Sequence, residues 1–275
     1  MNKSYIKFWG VRGSNPTPDA DKVKYGGDTS CVEIRTALND AIILDMGTGI
    51  RNLGKEIINN PSYPKEINIF LSHYHWDHIM GFFYFKPLYS SDYTINIYGY
   101  NSKTPLSMVS EMLTDKNFWP VNKELYKANI NFIEMSESSN QEQSIDINKT
   151  KIYYSLHPHP NGTNSLKVDT GNKKIVYITD CEHPEGNLNP NVVAIAKECD
   201  ILIHDSHFSI NDLSKYRGWG HSSWKQAVDV AITAEAKQLI LFHHSPEYTD
   251  SQVELNEKNA CKKFINTIAA YQGLT

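Results

Sequence analysis

Short apolar runs recur along the chain, and each is followed by glycine, asparagine, aspartate or another polar residue. The runs are AIILDMG (41–47), INIFLSH (67–73), TINIYGY (94–100), KIVYITD (174–180), DILIHDS (200–206) and QLILFHH (238–244). Their length and their content of β-branched residues predict buried β-strands. Because helical patterns lie between some of these runs, the sequence predicts a mixed α/β protein.

One helix is predicted over residues 221–237, HSSWKQAVDVAITAEAK. Its apolar side chains share one helical face: Trp224, Ala227, Val228 and Ala231. Either Ser222 or Ser223 can cap its start, because a serine hydroxyl accepts a hydrogen bond from the first-turn amides.

A second helix is predicted from Ser251 onward. Ser251 and Glu254 have the spacing of a capping box. The apolar residues that follow keep a helix-like period: Val253, Ala260, Phe264, Ile265 and Ile268. This period predicts that the helix continues close to the end of the chain.

The organisation predicted from the sequence is a single domain. The chain has 275 residues, of which 40% are hydrophobic, and this is enough to bury a large core. The polar segment SESSNQEQSIDINKT, residues 136–150, predicts a surface loop rather than a linker between domains. We therefore predict one domain over residues 1–275.

Composition and charge exclude several classes of partner. A formal net charge of −4 does not provide the excess of positive charge that binding to duplex DNA or to a membrane surface usually needs. No apolar stretch reaches the roughly 20 residues of a membrane helix. The opening MNKSYIKFWG lacks the layout of a secretory signal, and the four cysteines are scattered, which favours reduced thiols. These features predict a cytoplasmic protein.

Histidine and aspartate repeatedly occupy the ends of the predicted strands. The stretch HYHWDH, residues 73–78, follows one strand and offers four donors: His73, His75, Asp77 and His78. Further strands end at Asp45, Asp180, Asp205 and His243. Imidazole and carboxylate are ligands that suit Zn, Mn or Fe, and a turn can aim such donors at two adjacent ions. The pattern predicts a metal site.

At these motifs the sequence resembles the metallo-β-lactamase superfamily, whose members carry H-x-H-x-D-H after an internal strand. The resemblance extends over nearly the whole chain through FWGVRGSNPTP, YGGDTSCVEIR, LDMGTGIRNLG, LSHYHWDHIMGFFYFKPLY, HPNGTNSLKV, YITDCEH, GWGHSS and LILFHHSPEYTD. Within the superfamily these stretches are similar to the phosphodiesterase branch that includes ribonuclease Z, and to its bacterial G-V-R-G-S group. The resemblance implies a four-layer αββα sandwich.

The resemblance also implies two divalent transition-metal ions, with Zn as the leading choice and Mn or Fe as alternatives. One ion is held by His73, His75 and His159, the second by Asp77, His78 and His243, and both by Asp180. These seven assignments are carried over from the family's motifs.

Two of the implied ligands have a histidine neighbour that competes with them. The stretch HPHP offers His157 as well as His159, and HHSP offers His244 as well as His243. The family pattern favours His159 and His243. Asp45 matches the family's strand-end aspartate, which orients ligands rather than binding metal.

The implied reaction is attack on the substrate by a hydroxide shared between the two ions. Catalytic roles then fall to Asp77 and Asp180, which hold the ions, and to His221, which matches the histidine of the ribonuclease branch's H-S-T motif. His221 would protonate the leaving oxygen or hold a phosphate oxygen; its structural alternative is a helix cap. The backbone N–H groups at the start of the helix, with Ser222 and Ser223, are expected to favour the same anion.

The predicted substrate is a small phosphodiester, with a cyclic nucleotide first and short RNA next. The aromatic candidates for stacking on a base are Phe82, Phe83, Tyr84, Phe118, Trp119 and Trp219. The alternatives are a ribonuclease, a lactone or thioester hydrolase of the same fold, and a non-catalytic metal-bound sensor. The sequence leaves the oligomeric state open, and a homodimer is compatible with it.

Overall fold

The structure is a computed structural model that describes residues 4–100, 103–121, 123–136 and 143–275. It separates into two compact units. Unit 1 comprises Met1–Gly10, Asp28–Glu137 and Gln272–Thr275, and unit 2 comprises Val11–Gly27 and Ser138–Tyr271. The single domain over residues 1–275 stays a prediction.

In the described residues, unit 1 contains one six-stranded sheet whose spatial order follows the chain. Its strands are β1 (Tyr5–Gly10), β2 (Cys31–Arg35), β3 (Ala41–Leu44), β4 (Glu66–Phe70), β5 (Thr94–Gly99) and β6 (Asn129–Glu134). The pairs β1–β2 and β2–β3 are antiparallel, and the pairs from β3 to β6 are parallel. Three of the predicted strands, β3 to β5, are confirmed.

The helices of unit 1 are α1 (Ile50–Asn59), α2 (Trp76–Ile79) and α3 (Leu106–Thr114). Short 3-10 turns lie at Phe82–Tyr84, Lys86–Tyr89 and Lys123–Leu125. Leu53 and Ile57 of α1 pack in the same core cluster as Ile43 and Ile69 of the sheet. Burying such apolar side chains is the main force that holds a helix on a sheet.

In the described residues, unit 2 contains a seven-stranded sheet with the order β13-β12-β11-β10-β9-β8-β7. Its strands are β7 (Gln143–Ile147), β8 (Thr150–His157), β9 (Thr163–Asp169), β10 (Lys174–Ile178), β11 (Ile201–Asp205), β12 (Leu239–Phe242) and β13 (Thr267–Ala269). Strands β10 to β13 are parallel to one another, so their carboxyl ends meet at one edge of the sheet. The predicted strands β10 to β12 are confirmed.

The helices of unit 2 are α4 (Pro190–Ala196), α5 (Ile210–Leu213), α6 (Trp224–Thr233) and α7 (Asp250–Cys261). The predicted first helix is confirmed as α6, and Ser223 rather than Ser222 caps it. Ser223 and Gln226 form a reciprocal capping box, which satisfies two first-turn donors. The predicted apolar face of α6 is buried. No helix in the described part of the chain is both long and apolar enough to cross a bilayer.

The predicted last helix was wrong at both ends. The capping box that starts α7 is formed by Thr249 and Gln252, not by Ser251 and Glu254. The helix stops at Cys261, and Ile268 instead pairs with Ile240 in the sheet. Backbone pairing with β12 therefore overrides the helical period of the apolar residues in this segment.

The predicted surface loop over 136–150 was also wrong in part. Gln143–Ile147 is strand β7, which pairs antiparallel with β8. The tight turn between these strands contains Asn148 at φ 54°, a left-handed conformation that asparagine tolerates. Residues 137–142 of the predicted loop lie outside the described residues.

Candidate metal centre

Four potential metal ligands of unit 1 lie in the loop after β4 and in the helix α2 that follows it: His73, His75, Asp77 and His78. His75 is the N-cap residue of α2, and Asp77 and His78 belong to its single turn. The ring of His73 lies 4.5 Å from that of His75 and 4.3 Å from that of His78. The change from loop to helix bends the chain, so side chains close in sequence converge on one place.

Asp45 orients the ring of His78. One carboxylate oxygen of Asp45, Oδ2, accepts hydrogen bonds from Nδ1 of His78 over 2.7 Å and from the hydroxyl of Ser72 over 2.8 Å. Because Nδ1 of His78 then carries the proton, the ring lone pair lies on Nε2, which is 3.1 Å from Oδ2 of Asp77. In metal sites, a ligating histidine commonly donates the N–H of its non-coordinating ring nitrogen to a carboxylate, as Nδ1 of His78 does here.

Gly47 permits the close packing of α2 in unit 1. A Cβ at this position would overlap the carbonyl oxygen of Asp77 and would lie 2.5 Å from Oγ1 of Thr29. The amide of Met46 donates to the carbonyl of His78 over 2.8 Å. The first glycine of the DMGTG stretch therefore lets the backbone contact the ligand-bearing turn directly.

In unit 2, Asp180 lies between two histidines at the carboxyl end of β10. Its Oδ1 is 3.7 Å from Nε2 of His159, and its Oδ2 is 3.2 Å from Nε2 of His243. Nδ1 of His159 donates to the carbonyl of Gly220 over 2.9 Å, which directs the ring lone pair to Nε2. One carboxylate that presents a different oxygen to each imidazole has the arrangement of a shared ligand.

Three of the strand-end residues adopt a left-handed backbone that non-glycine residues rarely adopt. Their φ angles are 61° for Asp45, 51° for Asp180 and 59° for His243. Such conformations cost about 1–3 kcal/mol each and persist mainly where surrounding contacts impose them. No sequence pattern had indicated this strain, because aspartate and histidine carry no obligatory turn signal.

The structure separates His157 from His159 by their hydrogen bonds. Nδ1 of His157 accepts from the hydroxyl of Ser165 over 2.8 Å, and its Nε2 donates to the carbonyls of Thr179 and Asp180 over 3.1 and 3.2 Å. Both ring nitrogens are thus engaged by the protein. Burial, with the neighbouring His159, lowers the pKa of His157 to about 4, so the ring is neutral.

His244 likewise has a structural environment. Its Nε2 donates to the carbonyl of Ala270 over 2.9 Å, and burial lowers its pKa to about 3. The ring of His243 instead packs over Gly13, where a Cβ would lie 2.5 Å from Cε1 and Nδ1 of that ring. Gly13, the second glycine of the GVRGS stretch, is therefore glycine because the ring of His243 occupies the space that a side chain would need, not because a turn requires it.

His221 is held by a buried carboxylate. Its Nδ1 donates to Oδ2 of Asp205 over 2.9 Å, and His207 stacks on its ring at 4.2 Å with planes 11° apart. The second oxygen of Asp205 accepts from the amides of His207 and Ser222. Burial tends to raise the pKa of Asp205, but the charge and the hydrogen bond of His221 outweigh it and hold this pKa below its usual range.

Two of the groups expected to favour an anion at the start of α6 already have partners within the protein. The amide of Ser222 donates to Asp205 over 3.2 Å, and that of Ser223 donates to the side chain of Gln226 over 3.1 Å. Both amides therefore stabilise the folded protein: that of Ser222 through Asp205, and that of Ser223 through the capping box with Gln226. These two amides are therefore engaged within the protein, and anion binding by the other amides at the start of α6 stays a prediction.

Residues 217–220, called the Glu182 loop here, are fastened to the carboxylate of Glu182. This carboxylate accepts from the amides of Gly218 and Gly220 over 3.0 and 2.8 Å and pairs with Nε of Arg217 over 2.9 Å. Both glycines have left-handed φ angles, 88° and 86°. Two backbone amides and a guanidinium group thus hold the loop in one conformation.

A further cluster in unit 2 escaped the sequence patterns. Cys181, His183 and His204 place potential donor atoms within 4.8 Å of one another. However, Nδ1 of His183 accepts a hydrogen bond from the amide of Asn189 over 3.1 Å, which leaves the proton on Nε2, the nitrogen facing Cys181 at 3.9 Å. A protonated nitrogen cannot ligate a metal, so this cluster does not fit an ion.

The donor set described in each unit does fit transition-metal ions. His78 and His159 direct Nδ1 to an oxygen acceptor, which leaves Nε2 as the coordinating nitrogen. Asp77 and Asp180 add carboxylate oxygens near such nitrogens. Imidazole with carboxylate is the ligand chemistry of Zn, Fe and Mn sites.

Comparison with known proteins identifies the family. The model of the β-lactamase superfamily domain matches residues 41–244, more than half of the chain. Ribonuclease Z of Picrophilus torridus is 26% identical over an alignment of 289 positions, gaps included, which spans 92% of this chain and 89% of that protein.

Solved structures agree on the fold. The metallo-β-lactamase fold protein YhfI of Bacillus subtilis has a TM-score of 0.75 at 18% identity and covers 100% of this chain and 98% of that one. The short form of human tRNase Z has a TM-score of 0.67 at 18% identity, with 98% and 97% covered. The predicted fold class, the α/β metallo-β-lactamase sandwich, is confirmed. The chain therefore belongs to the β-lactamase superfamily and is a metal-dependent hydrolase with the metallo-β-lactamase fold.

Proposed function

We propose that the protein is a dinuclear metal-dependent phosphodiester hydrolase that acts on a small phosphodiester, with a cyclic nucleotide as the leading substrate. The observation that carries this proposal is the position of the Asp180 carboxylate, with one oxygen toward His159 and the other toward His243. A carboxylate with one oxygen toward each of two imidazoles can serve two ions at once, as a two-metal reaction uses them.

The proposed ligands are those that the family resemblance implies. One ion is assigned to His73, His75 and His159, the other to Asp77, His78 and His243, and Asp180 to both. Zn is the leading ion, with Mn or Fe as alternatives. When bound, two such ions supply an activated water and neutralise the charge that develops on the phosphate.

The protein's own residues then orient the substrate and handle the proton. Nδ1 of His221 is hydrogen-bonded to Asp205, so the proton donor to the substrate is the other ring nitrogen, Nε2. If Asp205 stabilises a protonated ring, His221 donates from Nε2 to the departing oxygen or to a phosphate oxygen. Asp45 keeps His78 in the tautomer that ligation requires.

A ribonuclease acting on short RNA is the second candidate. It is favoured by the 26% identity to a protein named ribonuclease Z along 92% of this chain. The net charge of −4 favours the smaller substrate, because binding to a long polyanion depends on neutralising many phosphates. A lactone or thioester hydrolase with the same ligands is the third candidate.

The test begins with metal analysis and a substrate panel. Elemental analysis of the purified protein is expected to give about two transition-metal ions per chain, the number that the proposed reaction uses. The panel contains 3′,5′-cyclic nucleotides, cyclic dinucleotides, a short RNA and a lactone, with Asp180→Ala as the inactive control. We expect the cyclic nucleotide to give the largest kcat/KM. Preferential cleavage of RNA would favour the second candidate, and lactone hydrolysis without any phosphodiesterase activity would overturn the proposal.

A further inference from the structure

Trp219 lies open to solvent in the Glu182 loop, two residues before His221. In the described residues of unit 2 it is the most exposed aromatic side chain, at 61%. Exposed indole rings are commonly contact surfaces, because they combine a large apolar face with little conformational freedom. The other aromatic residues that the sequence proposed for base stacking include Phe82 and Phe83, which are buried in the core of unit 1.

A continuous series of ring contacts joins Trp219 to His221. The indole meets the ring of Tyr216 edge-on at 4.9 Å, and Tyr216 stacks on Phe208 at 5.0 Å with planes 11° apart. Phe208 in turn meets the ring of His221 edge-on at 5.8 Å. The exposed indole is therefore packed on the same aromatic group that supports His221.

The loop that carries Trp219 is fixed on both sides of the indole. The amides of Gly218 and Gly220 are bonded to Glu182, and the carbonyl of Gly220 accepts from His159. The backbone flanking Trp219 is thus hydrogen-bonded both to His159, a proposed metal ligand, and to the half-buried carboxylate of Glu182. A ring held in this way loses little entropy when a planar ligand stacks on it.

We propose that Trp219 stacks on the nucleobase of the substrate nucleotide and so selects nucleotide phosphodiesters over those without a base. This inference rests on the proposed phosphodiesterase function and names its substrate class. In a 3′,5′-cyclic nucleotide the departing oxygen belongs to the ribose that carries the base. The base is therefore expected on the side of His221, the group assigned to that oxygen, which Trp219 adjoins. The indole contacts the base face, so it favours nucleotides in general rather than one base.

The kinetic test compares 3′,5′-cyclic AMP with the same cyclic ribose phosphate lacking the base. Trp219→Ala is expected to raise KM for cyclic AMP about tenfold while leaving kcat nearly unchanged, and Trp219→Phe is expected to retain most of the binding. Neither variant should alter turnover of the base-free diester. Phe118→Ala tests the competing candidate, since Phe118 is 59% exposed and was also proposed for base stacking, and it is expected to keep the wild-type KM. Equal losses on both substrates, or a base-dependent loss in Phe118→Ala instead, would overturn the inference.

A binding measurement keeps the inference testable even if no diester is hydrolysed. AMP should quench the tryptophan fluorescence of the wild-type protein more than that of Trp219→Phe, and ribose 5-phosphate should quench neither. Equal quenching by AMP in both proteins would overturn the assignment of Trp219. Absence of hydrolysis of all diesters would instead overturn the proposed function, so the two failures are distinguishable.

Discussion

Nδ1 of His221 donates a 2.9 Å hydrogen bond to Oδ2 of Asp205, a carboxylate with no exposed surface. The pair resembles the orienting arrangement of many acid–base sites, in which a buried carboxylate fixes one ring nitrogen and directs the other outward. Asp205 is itself held by the amides of His207 and Ser222. This geometry supports the proposal that His221 is a positioned proton donor rather than only a helix cap.

The first prediction concerns how the effect of His221 depends on the leaving group. A general acid matters most when the leaving oxygen is strongly basic, as a ribose alkoxide is and p-nitrophenolate is not. His221→Ala is expected to slow hydrolysis of a nucleotide phosphodiester by about 10²–10⁴-fold and of bis-p-nitrophenyl phosphate much less. The measurement is kcat/KM on both substrates, with metal content as the control. Equal losses would indicate phosphate binding, and loss of metal would show that His221 is a ligand.

The second prediction separates His159 from His157. Because both nitrogens of His157 are hydrogen-bonded within the protein, His157→Ala is expected to lower stability but to retain metal. His159→Ala is expected to lose metal, because its Nε2 faces Asp180. Elemental analysis of the two folded variants checks this, with circular dichroism to establish folding. Metal loss in His157→Ala alone would reverse the assignment.

The strands and the ligand-bearing turn were predictable because their signals are local. Buried strands such as β3 and β11 are continuous apolar runs, and HYHWDH is a compact motif. The end of α7 was not predictable, because the pairing of Ile268 with β12 depends on a distant segment. The hydrogen bonds that distinguish His157 from His159 also come from residues far along the chain, Thr179 and Gly220.

The third prediction concerns stability at acid pH. The carboxylate of Asp212 accepts hydrogen bonds from Tyr248, Lys215 and Ser209, and these lower its pKa to about 2. Since its pKa in the unfolded chain is higher, the ionised carboxylate stabilises the fold above about pH 4, and this contribution is lost as the pH falls towards 2.

Asp212→Asn is therefore expected to lower the free energy of unfolding by about 1 kcal/mol near neutral pH, after allowance for partial exposure. The difference from wild type should shrink between about pH 4 and pH 2. Urea denaturation across this range measures it. Asp146→Asn is the control, because that carboxylate is 66% exposed and lies 3.8 Å from Lys151. A constant difference at all pH values would contradict the assigned role of the Asp212 charge.

The last prediction uses the two glycines of the Glu182 loop as a matched pair. Gly218 and Gly220 have nearly the same left-handed φ angle, 88° and 86°, so alanine at either position carries a similar backbone cost of about 1–2 kcal/mol. Their surroundings differ, since a Cβ on Gly218 meets no atom within 4 Å, whereas a Cβ on Gly220 would overlap Nδ1 of His159. Gly218→Ala should therefore be less stable but keep its metal and its activity. Gly220→Ala should displace the His159 ring and lose both metal content and turnover. Thermal unfolding, elemental analysis and kcat/KM on the two variants check this, and equal metal content in both would show that His159 does not depend on the glycine beneath it.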